Sequence, residues 1–105
     1  MIKIILAHNY FDPKGLIDVI SDMQKMGAPK IRIVHFENNV YQAIEGCHRL
    51  RAAAALGVTP DFEELDGGTL RSEVDGLDYD DGNDPSTTTV NSIGDWENTT
   101  LTFED

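Results

Sequence analysis

Residues 2–7 form an apolar run rich in β-branched side chains, Ile2-Lys3-Ile4-Ile5-Leu6-Ala7, which predicts a buried strand. His8-Asn9-Tyr10-Phe11 breaks the run. Asp12 is suited to cap a helix and Pro13 to begin it. Leu16, Val19, Ile20, Met23 and Met26 then recur every three or four positions, so residues 13–26 are predicted to form an amphipathic helix, stopped by Gly27-Ala28-Pro29. Residues 30–36 alternate as a strand does, Glu37-Asn38-Asn39 reads as a hairpin turn, and residues 40–44 form the return strand.

Gly46 separates that strand from an alanine-rich helix over residues 47–56, whose predicted inner face is Leu50, Ala53 and Ala54, with Gly57 as its C-terminal stop. Thr59-Pro60 turns the chain into a short, partly exposed strand at 61–65. From Asp66 onward the texture changes to Gly, Asp, Ser, Thr and Asn. Composition there predicts a solvated or disordered segment through about residue 94, followed by a short strand in 98–103, with Trp96 and Phe103 docking on the body. The expected organisation is a single α+β domain over 1–65, a short mixed sheet with two helices, and an acidic C-terminal extension over 66–105 that is partly disordered or loosely docked.

Charge sharpens this division. Residues 1–65 carry seven Lys/Arg against eight Asp/Glu, whereas residues 66–105 carry Arg71 alone against eleven acids. No basic stripe appears, which argues against independent binding to duplex DNA and leaves the acidic extension as a candidate surface for a protein partner. A single cysteine forbids an internal disulfide and suits a reducing compartment. With no apolar run long enough to span a membrane and no leader pattern, the expectation is a cytoplasmic protein with no membrane partner. Asp78–Pro85 has the acids of a calcium loop but not its ligand spacing. His8, His35, Cys47 and His48 lack zinc-ligand spacing, so no metal site is predicted from the sequence.

The chemistry concentrates at Gly46-Cys47-His48-Arg49. A glycine at a strand-to-helix turn lets the backbone approach a ligand closely, and the first amides of the helix have no intrahelical partner. Such an end attracts anions, and a guanidinium one turn in can clamp a phosphate. Arg49 is therefore the leading phosphate contact, with a salt bridge to Glu45 or Asp12 as its structural alternative. Cys47, at a helix N-terminus beside His48 and Arg49, is expected to favour its thiolate and is the candidate nucleophile.

Gly46-Cys47-His48-Arg49, together with the small-residue helix after it and the order strand, Asp-Pro turn, helix, strand, strand before it, resembles the ParB/sulfiredoxin superfamily over about residues 1–65. The resemblance implies that Gly46, Cys47, His48 and Arg49 hold the phosphates of a nucleoside triphosphate (ATP or CTP) with Mg²⁺, and that His8 and Asn9, after the first strand, approach the nucleotide. Gly-Cys-His-Arg is the sulfiredoxin wording and implies an ATP-dependent cysteine sulfinic acid reductase with Cys47 as nucleophile. Sulfiredoxins precede the motif with Phe-Gly, where this chain has Ile44-Glu45. An acidic residue directly before Gly-x-x-Arg resembles instead the small stand-alone ParB-like proteins of phages and plasmids. There Glu45 would help place a metal-bound triphosphate or act as a base in slow hydrolysis or phosphoryl transfer. The favoured expectation is thus a ParB-like nucleotide-binding protein, with the reductase and a non-enzymatic module acting through its acidic tail as alternatives.

Overall fold

In the computed structural model, which describes residues 1–93 and 97–104, the chain forms an α+β domain with one mixed five-stranded sheet and two helices. Strands β1 (Ile2–Ile5), β2 (Lys30–Glu37), β3 (Val40–Ala43), β4 (Asp61–Leu65) and β5 (Thr100–Phe103) lie in the order β4-β2-β3-β1-β5. The β2–β3 hairpin is antiparallel, turning at Asn38 (φ 45°), with an irregularity in register between His35 and Glu37. β1 runs parallel to β3, and β4 parallel to β2. No helix among the described residues is long and apolar enough to cross a membrane.

Helix α1 (Pro13–Met26) begins as its sequence dictates: the Asp12 carboxylate accepts the Lys14 N–H at 3.2 Å and Pro13 occupies the first turn. The Gly27 N–H closes it on the Met23 carbonyl. Met23 is buried, but Met26, placed on the inner face by periodicity, is exposed as the last residue of the helix. Helix α2 (Cys47–Leu56) packs against α1 and β5 and buries Cys47, Leu50, Ala52 and Ala53. Ala54, also assigned to the inner face by spacing, instead lines an open cleft beside Met1, Thr59 and Phe103. Strand β1 is shorter than the apolar run that specifies it. Leu6 and Ala7 remain fully buried past its end, where the Leu6 N–H donates to the Thr99 carbonyl and Asn98 Nδ2 donates to the Leu6 and Ala7 carbonyls.

The acidic extension shares this core. Val90, Ile93 and Phe103 are buried in it, and β5 pairs antiparallel with β1, from Ile2 opposite Phe103 to Ile5 opposite Thr100. The predicted strand in 98–103 is therefore β5, and Phe103 packs edge-on to Phe62 at 5.8 Å between ring centres. The predicted docking of Trp96 lies outside the described residues.

Arg71, the extension's only cation, is 4% exposed and gathers the segment around itself. Its guanidinium donates to the Thr89 carbonyl, Asp81 Oδ1 and Ser92 Oγ, and it lies over the Tyr79 ring. That guanidinium, aided by the Asn83 N–H, holds the Asp81 carboxyl down at about 2 from its ordinary 3.8. A depressed folded value means the contribution is fully present above the unfolded value and is lost as pH falls from about 4 through 2. Urea midpoints followed from pH 5 to pH 2 are expected to fall less steeply in Asp81→Asn than in the wild type. Parallel curves would remove Asp81 from the acid response.

Candidate functional site

Two side-chain clusters meet at the first turn of α2. The turn is set by Gly46, whose left-handed φ of 71° caps the helix. A Cβ at this position would sit 2.6 Å from Ile31 Cδ1 in the core, so both backbone conformation and space favour glycine. The first intrahelical bond runs from the Leu50 N–H to the Gly46 carbonyl at 2.8 Å, and among the described residues no side-chain cap meets the amides ahead of it.

The first cluster is built on Glu45, which is 9% exposed at the end of the β3 segment. One carboxylate oxygen accepts from Arg32 Nε and the other from Arg49 Nη2 at 2.6 Å. Arg49 Nη1 also donates to the Lys30 carbonyl at 3.1 Å, and Arg32 Nη2 donates to the Asp75 carbonyl. The salt bridge from Arg49 to Glu45 is thus the one anticipated as its structural alternative. Arg32 was missed, although the strand pattern carried a signal: it is the lone cation between the buried Ile31 and Ile33. With both oxygens facing guanidinium groups, Glu45 does not fit a Mg²⁺ ligand or a general base aimed at a bound phosphate.

The second cluster joins three distant segments. Cys47 is fully buried, and its thiol lies 3.8 Å from the carbonyl oxygen of His8. His8 Nε2 pairs with Asp78 Oδ1 at 3.1 Å, and Asp78 is fixed by its own N–H, which donates to the Ile44 carbonyl. Burial pushes the Cys47 thiol up, and the nearby Asp78 charge adds to this. The helix end and the neighbouring cations, which alone are legible in the sequence, favour the thiolate. Desolvation and a carboxylate supplied by the acidic extension act in the opposite direction, and a fully buried sulfur is out of a substrate's reach.

The remaining candidates have partners within the fold. His48 Nε2 accepts the Asp12 N–H at 2.9 Å, tying α2 to the start of α1. Asn9 Oδ1 accepts the Thr99 N–H and the Asn9 carbonyl accepts from Arg51, whose guanidinium also covers the Phe11 ring at 4.3 Å. His35 Nε2 is bonded to the Asn38 carbonyl in the hairpin, a structural role.

No family model, curated protein or solved structure matches the chain.

Proposed function

We propose that the chain binds a nucleoside triphosphate, or a ligand of the same phosphate chemistry, at the turn from Gly46 to Arg49. One observation carries the reading. Arg32 and Arg49 bring two positive charges to the single Glu45 carboxylate, so this cluster carries one excess positive charge beside the first amides of α2, while the Asp78 carboxylate faces His8 and Cys47 in the second cluster. This happens in a chain whose formal net charge is −11. The Arg49 side chain is 41% exposed and is held by Glu45 and the Lys30 carbonyl, so its free N–H groups are oriented before a ligand arrives. The resemblance of Glu45-Gly46-Cys47-His48-Arg49 to ParB-like sequences supports the nucleotide as ligand. Mg²⁺ would come as part of the nucleotide complex. Because Glu45 is held by two guanidinium groups, the proposal is one of binding and includes no hydrolysis or phosphoryl transfer step.

Heat-induced unfolding with ATP, CTP, GTP and ADP, each with Mg²⁺, tests this. A ligand at a hundred times its Kd adds about 2.7 kcal/mol of stability, a rise of several degrees in Tm for a domain of this size. The ligand-induced increment is expected with at least one nucleotide. It should vanish in Arg49→Ala and persist in Lys14→Ala. No increment with any nucleotide overturns the proposal.

A further inference from the structure

Among the described residues, one group of His, Cys and carboxylate ligand atoms converges closely enough to hold a metal ion: His8, Cys47 and Asp78, whose donor atoms all lie within 4.8 Å of one another. We propose that these three residues form a site for a divalent transition metal of the Zn²⁺ class. The donor set of thiolate, imidazole and carboxylate is one that zinc takes. Ligand atoms around a tetrahedral zinc stand about 3.3–3.6 Å apart, as follows from its bond lengths. The His8–Asp78 pair, at 3.1 Å, is already near that separation, and the sulfur lies within 4.8 Å of the other two ligand atoms.

Three further features suit an ion here. His8 Nδ1 is buried without a hydrogen-bond partner among the described residues, and rotation of the ring offers either nitrogen to the metal. A thiolate and one carboxylate neutralise a divalent cation, so the loaded cluster can sit beside the core without an uncompensated charge. The His8 and Asp78 side chains are 30% and 41% exposed and line a surface cavity with Leu77, Tyr79 and Asp80. An ion can therefore enter from that side although Cys47 cannot be reached by a larger reactant. A water would complete the fourth position. On binding, the Cys47 S–H bond is replaced by a sulfur–metal bond and the proton leaves to solvent, so affinity should fall as pH is lowered.

The site was not legible from spacing because its three ligands come from the β1–α1 connection, the start of α2 and the acidic extension. It is independent of the nucleotide reading and is tested without nucleotide. The 105-residue protein, stripped with chelator, is titrated with Co²⁺ and then Zn²⁺. The expected result is a thiolate-to-cobalt charge-transfer band with tetrahedral d–d absorption, abolished by Zn²⁺ and accompanied by proton release. His8→Gln and Asp78→Asn, both changed at the surface, should each weaken Co²⁺ binding by at least about tenfold. Cys47→Ser should remove the charge-transfer band, and Glu73→Gln should leave titration unchanged. The two surface variants carry the test even if the buried Cys47→Ser protein does not fold. Absence of the band at saturating Co²⁺, or wild-type affinity in both His8→Gln and Asp78→Asn, overturns the site.

Discussion

Glu45→Ala is expected to destabilise the protein by about 2–3 kcal/mol, a drop of roughly 10–20 °C in Tm. The carboxylate lies between Arg32 and Arg49, so its removal leaves two guanidinium groups facing each other with their shared acceptor gone. Breaking a fully buried pair costs about 3–5 kcal/mol. The figure here is lower because the Arg32 and Arg49 side chains are 25% and 41% exposed, and solvent screens the repulsion that remains. Glu45→Gln should fall between wild type and Ala, since it keeps an acceptor but loses the charge. Urea denaturation of the three proteins decides the matter. A loss below about 0.5 kcal/mol in Glu45→Ala, the range of ordinary surface substitutions, would mean that the carboxylate organises nothing.

Gly46→Ala should cost roughly 2–5 kcal/mol from two sources. The left-handed backbone costs an alanine about 1–2 kcal/mol. The new methyl meets Ile31 Cδ1 at 2.6 Å, and overpacking of this kind adds about 1–3 kcal/mol. Ile31 is fully buried, so its terminal methyl has little room to retreat. The two sources separate in a double-mutant cycle, because Ile31→Val deletes the offending Cδ1. Alone, that change costs about 0.5–1.5 kcal/mol. Combined with Gly46→Ala, it should restore about 1–2 kcal/mol relative to the sum of the single changes. Strict additivity would place the methyl elsewhere and leave only the backbone strain. The same variant bears on function, since a shifted α2 N-terminus would move its amides and Arg49 together.

Much of the secondary structure was written locally. Asp12-Pro13 and the three-to-four-residue spacing that follows specify α1, because a cap and an amphipathic stripe are satisfied within one helix. The Asn-bearing turn between two β-rich runs specifies the β2–β3 hairpin for the same reason. Gly46 and Gly57 bound α2 at both ends with left-handed conformations, as glycines flanking an alanine-rich run suggest.

Other features depend on which distant surfaces meet, and local pattern carries no such information. The placement of β1 between β3 and β5 requires the chain's end to return to its beginning, over nearly the whole sequence. The acidic extension, read by composition as solvated, lends Val90, Ile93 and Phe103 to the core around the single cation Arg71. At the site, sequence alone determined the turn at Gly46 and left Glu45 or Asp12 as the structural partner of Arg49, and the fold pairs it with Glu45. Only the tertiary structure decided the surroundings of Cys47. It buried the sulfur under the β1–α1 connection and set Asp78 beside it from thirty-one positions further along the chain. Burial and electrostatic neighbourhood are properties of packed surfaces, so the ionisation of that thiol and the convergence of its ligands arise with the fold.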